Sequence, residues 1–456
     1  MTEIVQKSSS KMKEKVRIAS GQGFWGDLID APYDQVSKGD IDYLVMDYLA
    51  EVTMSILQKQ MNKNPEFGYA RDIPSVMERI LPIIKEKNIK VITNGGGVNP
   101  AACGEAIKKV AEKIKIKNLK IAVITGDNII ERIDDLISKG EELNNMETGE
   151  SITQVKDKLL SANVYLGSSP IVDALIQGAD IVITGRTTDT GLTLAPMIYE
   201  FNWQMDDYDL MAAGTVAGHI LECGGQASGG NFLGDWKSIE LTNIGFPIAE
   251  AYPSGELIIT KHQKLGGRVS YGTVAEQLVY EIGDPQKYIT PDCIADFTSI
   301  QLEDLGNDRV KVFGIKGRPE TATYKVSCSY SSGFSASATL TYSWPEALTK
   351  ARAADSILRE RLLKLGLNFE EIRTEFLGYD SCHGPLSTKI DEENINEIVF
   401  KIAVRSQDFH SVDRFGKEIA PLILTGPPSV TGFAGGRPKP SEVVAYWPAL
   451  INKEYI

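Results

Sequence analysis

Short apolar runs alternate with helix-like stretches in the first half of the chain. Because each short run precedes a segment of helical periodicity, the pattern indicates βαβ units and a parallel sheet. We therefore predict an α/β fold with a doubly wound parallel sheet in an N-terminal domain of residues 15–235. The predicted strands are 16–19, 41–49, 90–93, 119–125 and 180–184, and the predicted helices include 73–87, 101–115, 129–143 and 171–177.

Most of the predicted strands end in a loop rich in glycine, asparagine or aspartate. These loops are residues 20–27, 94–100, 126–128 and 185–191. In sheets of this type, ligands bind beyond the carboxyl ends of the parallel strands. We therefore expect the four loops to lie at one edge of the sheet, with Gly23, Gly96, Asp127 and Asp189 lining one cleft.

The pattern changes near residue 235. Residues 257–260 and 310–315 read as strands, and the alternating segments 324–330 and 334–344 read as a hairpin turning at Ser331–Gly333. A long helix over 345–365 and strands at 372–379 and 397–405 follow, with a helix over 408–424. We predict a C-terminal α+β domain over 236–456. Residues 1–14 are polar and charged and are predicted to be a disordered tail.

Composition excludes several classes of protein. With 456 residues the chain is long enough for two domains, and its net charge of −13 argues against nucleic acid or an anionic membrane as a partner. The sequence contains neither a signal peptide nor an apolar run long enough to cross a bilayer. Its five scattered cysteines show no zinc-binding spacing and suit reduced thiols, so we expect a cytoplasmic protein.

The stretch Ala212–Phe232 places reactive side chains in a background of glycine, alanine and serine. If 210–222 is a helix ended by Gly224 and Gly225, the side chains of His219, Glu222 and Cys223 share one face. A base, an acid and a thiol at one helix end suggest a catalytic site. The alternative is a tightly packed helix with a hydrogen-bonded core histidine and an inert cysteine.

The negative end of the helix dipole decides between the two enzymatic interpretations of this stretch. It disfavours a thiolate at Cys223 and favours a protonated His219. A proton-transfer pair of Glu222 and His219 is therefore preferred over a cysteine nucleophile. The sequence contains no GxSxG motif, which argues against an α/β-hydrolase.

The strand-end loops supply the candidate substrate-binding groups. Glycine N–H groups and a helix N-terminus after Pro100 favour an anion or a carbonyl. Arg186 could clamp a carboxylate, and Asp189 could act as a general base, orient Arg186 or cap the next helix. The candidate binding residues are Gly21, Gly23, Asn94, Gly95, Gly96, Gly97, Asn99, Arg186, Thr187, Thr188 and Gln226.

No motif identifies a cofactor. The loop at 20–27 lacks the spacing of a dinucleotide fingerprint, and the loop at 94–100 lacks the GK[ST] of a nucleoside triphosphate site. A CoA thioester remains open as the form of the substrate. A divalent metal held by Asp27, Asp127 and Asp189 also remains open, whereas four histidines in the whole chain make an all-histidine metal site improbable.

Several long motifs in the same order resemble the acyclic terpene utilisation (AtuA) family over residues 16–445. They are SGQGFWGD at 20–27, TNGGGVNPAACGEAI at 93–107, ITGRTTDTGLTLAP at 183–196, GHILECGGQASGGNF at 218–232 and YEIGDPQKYITPDCIADFTSIQL at 280–302. The resemblance implies a role in bacterial degradation of citronellol- and geraniol-type terpenes. Longer relatives carry a C-terminal ferredoxin-like domain that this sequence lacks, which implies a separate small ferredoxin-like subunit as a partner.

Together these observations predict a catabolic enzyme that transfers a proton on a carboxylate or acyl-CoA substrate, as a lyase or hydratase does. Glu222, His219 and Asp189 are the expected proton-transfer groups. A hydrolase or acyl-transfer enzyme using Cys223 is one alternative, and a non-catalytic substrate-binding subunit of a complex is another. Self-association into a homo-oligomer is also expected.

Overall fold

The computed structural model describes residues 13–388, 390–432 and 435–456. The chain forms two compact units, one running to Ser329 and completed by Tyr446–Ile456, the other being Tyr330–Ala445. Most of the predicted tail over 1–14 lies outside the described residues. Among the described residues, no helix is both long enough and apolar enough to cross a bilayer.

The strands are short in the first unit and longer in the second. They are β1 (Val16–Gln22), β2 (Tyr43–Met46), β3 (Lys90–Thr93), β4 (Ile121–Val123), β5 (Leu159–Val164), β6 (Ile181–Ile183), β7 (Ile248–Ala251), β8 (Leu257–Thr260), β9 (Tyr288–Ile289), β10 (Ile294–Asp296), β11 (Gln301–Asp304), β12 (Val310–Phe313), β13 (Lys316–Arg318), β14 (Thr323–Ser343), β15 (Glu371–Leu377), β16 (Glu397–Ser406), β17 (Val430–Thr431) and β18 (Ser441–Asn452).

The α-helices are concentrated between the parallel strands. They are α1 (Ala31–Ser37), α2 (Glu51–Lys63), α3 (Ile73–Lys87), α4 (Pro100–Lys113), α5 (Ile133–Ser138), α6 (Ser169–Ile176), α7 (Gly191–Phe201), α8 (Tyr208–Glu222), α9 (Tyr271–Val279), α10 (Ala347–Lys364), α11 (Phe409–Ile419) and α12 (Leu422–Thr425).

A nine-stranded mixed sheet organises the first unit, in the order β11-β12-β8-β7-β1-β2-β3-β6-β4. The five strands from β1 to β4 in this order run parallel. The remaining four strands pair antiparallel, starting with β7 against β1. The mixed α/β class and a large sheet with parallel strands are confirmed, but the sheet is mixed rather than wholly parallel.

Helices pack on both faces of this sheet because its central strands are apolar on both sides. In β2, Tyr43 and Val45 join the core formed with α6, α7, α8 and α9. Leu44 and Met46 point the other way into the core formed with α1 to α4. Continuous apolar strands of this kind are typical of a sheet buried between two helical layers.

Residue 235, where the composition changes, lies inside the first unit. The strands that follow it, β7, β8, β12 and β11, extend the first sheet instead of starting a new one. The composition change therefore marks the switch from parallel to antiparallel pairing within one sheet. That pairing is non-local, so no local pattern could assign it.

The second unit has its own antiparallel sheet and its own core. Residues Phe334–Ser343 of β14 pair with β16, and β16 pairs with β15. Helices α10 and α11 cover this sheet through an apolar core that includes Leu358 and Phe415. The predicted hairpin around Ser331–Gly333 is wrong, because these residues lie inside the single strand β14.

Candidate functional site

The loop after β1 packs directly on the end of helix α8. A side chain at Gly23 would place its Cβ only 2.8 Å from the carbonyl carbon of Cys223 and from the nitrogen of Gly224. Only glycine allows this backbone approach. The loop is held by Asp27, whose carboxylate accepts hydrogen bonds from the N–H groups of Gly23 (2.9 Å) and Leu28 (2.7 Å). The carboxyl end of β1 is therefore anchored beside the last turn of α8.

The small residues of α8 allow the loop after β6 to approach closely. A Cβ at Gly218 would lie 2.5 Å from the Cα of Thr190 and 2.6 Å from its carbonyl oxygen. Thr190 directly precedes α7. The glycine and alanine content of α8 thus has a packing role, and this packing fixes the position of the His219–Glu222 turn.

His219 is buried, and both of its ring nitrogens are occupied. Nε2 lies 2.9 Å from the carbonyl oxygen of Gln277, which can only accept, so Nε2 carries a proton. Nδ1 lies 2.9 Å from Oε1 of Glu222, so one proton is shared between this nitrogen and this carboxyl group. The rings of Tyr288 and Phe297 contact the imidazole edge-on. His219 is therefore a positioning partner of Glu222, and its own nitrogens face protein groups.

Arg186 is the buried cation of the site, with 1% of its surface exposed. Its guanidinium donates to the carbonyl oxygens of Leu49 (2.8 Å) and Thr187 (3.1 Å) and to the carboxylate of Asp189. It also lies 4.3 Å from the ring centroid of Tyr165. Despite burial, the charges of Asp189 and other neighbouring groups raise the pKa of Arg186. Each of the three guanidinium nitrogens thus has a protein acceptor, and the role of Arg186 as a clamp for a substrate carboxylate stays a prediction.

Asp47 follows β2 and is 6% exposed. Its Oδ1 accepts hydrogen bonds from the side-chain amide of Asn94 (2.6 Å) and from the N–H of Leu49 (3.2 Å). Burial raises the pKa of Asp47 to about 6, against the charge of Arg186 and the hydrogen bond from Asn94. Asp47 was not among the predicted site residues. Its position at a strand end beside Asn94 was the available signal.

Glu222 and Asp189 join Asp47 in a group of three carboxyl groups that act on one another, and two of them, Asp47 and Asp189, also act on the charge of Arg186. Glu222 acts electrostatically on both Asp47 and Asp189, although the three side chains come from separate segments of the chain. Burial and the nearby carboxylates of Asp47 and Glu222 raise the pKa of Asp189, and Arg186 opposes them. The side chain of Asp189 nevertheless keeps 33% of its surface exposed, whereas that of Glu222 keeps 16%. We call Asp47, Asp189, Glu222 and Arg186 the carboxyl cluster.

Cys223 caps the end of α8 beside this cluster. Burial and the charge of Glu222 raise the pKa of its thiol to about 12. The thiol therefore stays protonated near neutral pH.

Most of the predicted substrate-binding groups have structural partners. The side chain of Asn94 donates to Asp47 and accepts from the N–H of Tyr48. The side chain of Asn99 caps α4 and donates to the carbonyl oxygens of residues 65 and 67. The N–H groups of Gly95 and Gly97 donate to Thr93 Oγ1 and to the Asn94 carbonyl. The predicted anion-binding loop is thus largely engaged in its own turn.

The remaining candidates also contact protein. Thr187 donates its hydroxyl to the carbonyl of Leu166 (2.8 Å), and the hydroxyl of Thr188 lies 3.5 Å from that of Thr190. Gln226 donates to the side chain of Gln277 (3.0 Å). A Cβ atom at Gly21 would lie 2.9 Å from Leu44 Cδ1, and one at Gly96 would lie 2.5 Å from the carbonyl oxygen of Thr184. Both glycines therefore allow close packing.

The three aspartates considered for a metal do not form a common site. Asp127 accepts the backbone N–H of Arg186 and the amide of Asn163, both at 2.8 Å, while Asp27 holds its own loop. Within residues 13–388, 390–432 and 435–456, no group of three histidine, cysteine, aspartate or glutamate residues is arranged to hold a metal ion. Asp127 and Asp189 both lie in loops that follow strands, as predicted, and the contact of Asp189 with Arg186 agrees with its predicted role in orienting that side chain.

A second cation stands beside the cluster on the Tyr165 ring. Lys325 lies 4.9 Å from the ring centroid and 3.5 Å from the carboxylate of Glu51, which accepts the Tyr165 hydroxyl (2.8 Å). Unlike Arg186, Lys325 keeps 41% of its side chain exposed. No sequence motif pointed to this residue, because it lies on β14, far from the other site residues in the sequence.

Comparison with known proteins gives one match. The family model described as "Acyclic terpene utilisation family protein AtuA" matches residues 16–456, essentially the whole chain. No curated protein matches the sequence. No solved structure matches the fold.

Proposed function

The chain belongs to the acyclic terpene utilisation family AtuA, and from this premise we propose that it is a catabolic enzyme of the lyase or hydratase type that transfers a proton on an acyl-CoA or carboxylate substrate. The observation that carries this proposal is the carboxyl cluster. It gathers three interacting carboxyl groups, two of them beside one buried guanidinium, at the carboxyl edge of the parallel strands. Ligands of α/β sheets bind at this edge.

Glu222 is the proposed proton-transfer residue. Its Oε1 shares a proton with His219, which is fixed by the Gln277 carbonyl. An acid whose proton is held by a neighbouring base can release it to a substrate atom and recover it later. His219 acts through Glu222, since its second nitrogen is buried against the backbone.

Asp47 is the proposed second carboxyl group. With a pKa of about 6 it is ionised near neutral pH and still basic enough to accept a proton. Asn94 and Leu49 both bind Oδ1 and so fix the orientation of the carboxylate. Two carboxyl groups in different environments provide the two roles, acid and base, that elimination or addition of water requires.

The charge of the cluster favours a thioester over a free acid as the substrate. Asp47 and Asp189 already act on Arg186, and each of its guanidinium nitrogens already has a protein acceptor, so a substrate carboxylate would compete with these groups for the cation. A free carboxylate next to the reacting carbon would be repelled, whereas a thioester carbonyl is neutral. The anionic part of such a substrate would lie outside the cluster, and Lys325 is an exposed cation available there.

Proton exchange tests this proposal directly, because it requires only that a substrate carbon loses and regains a proton. The purified chain is incubated in D2O with CoA thioesters of α,β-unsaturated branched acyclic acids and, separately, with the free acids. We expect mass spectrometry to show deuterium in the thioesters or addition of water to them, and neither in the free acids. Exchange of the free acids alone would overturn the choice of the thioester.

The binding-subunit alternative predicts a different outcome. In that case the chain alone catalyses no exchange with any of these substrates but still binds a thioester, as measured by calorimetry. The acyl-transfer alternative predicts release of free CoA together with a covalent adduct on Cys223. The raised pKa of Cys223 argues against that adduct.

A further inference from the structure

The two edges of the nine-stranded sheet differ in how they are protected. Strand β11 ends the sheet on one side and carries exposed Glu303 and Asp304. Charged side chains on an edge strand discourage pairing with another chain. Strand β4 ends the sheet on the other side with the sequence Ile121-Ala122-Val123, and Val123 is 39% exposed. The β4 edge lacks the charges that protect the β11 edge.

The pairing of β4 with β6 determines which backbone groups of β4 point away from the sheet. The carbonyl of Lys120 accepts from Asp180 and Ile181, and the N–H of Ile124 donates to Ile183. Since backbone groups of a strand alternate in direction, Ile121 and Val123 turn their N–H and C=O groups to the open side. The backbone N–H and C=O groups of these two residues can therefore pair with an added strand.

A depression of about 460 Å³ runs along this edge between β4 and α6. Its lining includes the apolar side chains of Ala122, Ile124 and Ala174 and two charged ones, Lys120 and Asp173. Among the described residues, neither Lys120 nor Asp173 forms a salt bridge. The patch therefore carries one cation and one anion on either side of an apolar strip, and neither has an ionic partner in the part of the chain that the structure describes.

We propose that this edge binds a second copy of the chain, β4 pairing antiparallel with the partner's β4 about a two-fold axis. Helix α6 precedes β6 and connects to it through a short loop, so α6 begins at the carboxyl end of the strands. About this axis the β4 strand of the second copy runs in the opposite direction. Its Lys120 therefore lies at the carboxyl end of the first copy's β4, close to Asp173 of the first copy's α6. Each copy contributes one such ion pair, and the sheet becomes continuous across the axis.

The charge pattern selects a second copy over an unrelated strand. An isologous interface must be complementary to itself, so every charge needs its opposite within the same patch. Lys120 and Asp173 satisfy this condition, and the apolar strip between them pairs with its own image. The inference concerns assembly only and is independent of the reaction proposed above.

Proline substitution tests the backbone part of the proposal. Sedimentation of the full chain at micromolar concentration is expected to show a dimer. Val123→Pro removes an outward N–H that β6 does not use, so it should give a folded monomer with a melting temperature close to wild type. The matched variant Ala122→Pro removes an N–H facing β6 and should destabilise the fold. A monomeric wild-type chain, or a Val123→Pro variant that is folded and dimeric, would overturn the proposal.

Charge reversal tests the ion pair and does not depend on the proline variant folding. Lys120→Glu and Asp173→Lys alone should each raise the dimer dissociation constant about tenfold or more, because each places like charges together. The double variant should restore dimerisation, since the pairing is merely reversed. Glu303→Lys on the β11 edge is the control and should leave the constant unchanged. If neither single variant changes the constant, this patch is not the interface, and if the double variant is weakened as much as the single ones, Lys120 does not pair with Asp173 across the axis.

Discussion

Glu250 and Asp47 are both buried carboxyl groups of the same sheet, but their electrostatic surroundings are opposite. Glu250 on β7 is 1% exposed and contacts Arg17 (2.9 Å), Arg309 (2.8 Å) and Lys15 (3.4 Å). Burial opposes ionisation, yet the hydrogen bond from Arg309 and the neighbouring charges lower the pKa of Glu250. For Asp47 the balance is reversed, and burial raises the pKa to about 6.

The ratio of cations to carboxylates explains the difference. Three cations surround the single carboxylate of Glu250, so its charge stabilises the antiparallel half of the sheet. At the carboxyl ends of the parallel strands, Asp47 and Asp189 share the guanidinium of Arg186, and Glu222 adds a third carboxyl group beside them. Burial of a carboxylate with little compensating positive charge reduces stability, and such a cost is typical of a site retained for function. The comparison therefore contrasts Glu250, whose charge is compensated, with Asp47, the carboxyl group that we propose takes part in the reaction.

The largest expected effect distinguishes Glu222 from its neighbour Cys223. Glu222→Gln is nearly isosteric, so it should preserve the fold while lowering turnover by roughly 10²–10⁴-fold, the usual contribution of general acid–base catalysis. Cys223→Ser should leave turnover close to wild type, because the thiol has a pKa of about 12 and is not a nucleophile near neutral pH. Steady-state rates are measured together with melting temperatures.

The two variants can also reverse the interpretation. If Cys223→Ser abolishes turnover while Glu222→Gln leaves it unchanged and both proteins stay folded, the proton-transfer proposal is wrong. The cluster would then be a structural group like that of Glu250, and acyl transfer would replace it as the reaction.

Local patterns were sufficient to predict the central elements of the fold. The strand at 90–93 and the helix at 73–87 have the predicted bounds, because their apolar periodicity depends only on neighbouring residues. The strand at 257–260 was also predicted, but not its place in the first sheet, which depends on pairing with β7 and β12. The strand β14 was divided by its Ser-Ser-Gly segment, although its pairing with β16 keeps it continuous.

The same distinction applies to the site. The contact between His219 and Glu222 follows from their spacing of three residues in a helix, so the sequence could predict it. The hydrogen bond between Asp47 and Asn94 joins residues 47 positions apart, and only the folded sheet brings them together. The engagement of Arg186 with the Leu49 carbonyl is equally non-local, which is why Arg186 was assigned to the substrate.

The second test concerns Glu250, the carboxyl group whose charge is compensated by three cations. Glu250→Gln should lower the free energy of unfolding by about 2–3 kcal/mol near neutral pH, because it removes the charge that compensates Arg17 and Arg309. Since the folded pKa of Glu250 is lowered, its contribution is present at neutral pH and is lost as the pH falls through that pKa. Denaturant titrations at pH 7 and in acid should therefore show a difference that shrinks in acid. A neutral effect at pH 7 would remove the contrast with Asp47.

The smallest expected effect is a gain in the free energy of unfolding, opposite in sign to the loss expected for Glu250→Gln. Asp47→Asn should raise the free energy of unfolding by about 1 kcal/mol above pH 6, because the amide keeps an acceptor for Asn94 and Leu49 but removes a buried charge. The folded pKa of Asp47 is raised, so the folded state binds more protons than the unfolded state between about pH 4 and 6. The wild type therefore loses stability as the pH rises through this window, and the variant does not.

The measurement is a pair of melting curves for wild type and Asp47→Asn at pH 4 and pH 8, with Asp206→Asn at an exposed position as the control. A gain of 1 kcal/mol corresponds to a rise in melting temperature of about 1–2 °C for a unit of this size. We expect the gain at pH 8, little difference at pH 4, no gain for the control, and loss of proton exchange in Asp47→Asn. If Asp47→Asn destabilises the protein at pH 8 as Glu250→Gln does, Asp47 is a structural carboxylate, and the role of base passes to Asp189 or Glu222.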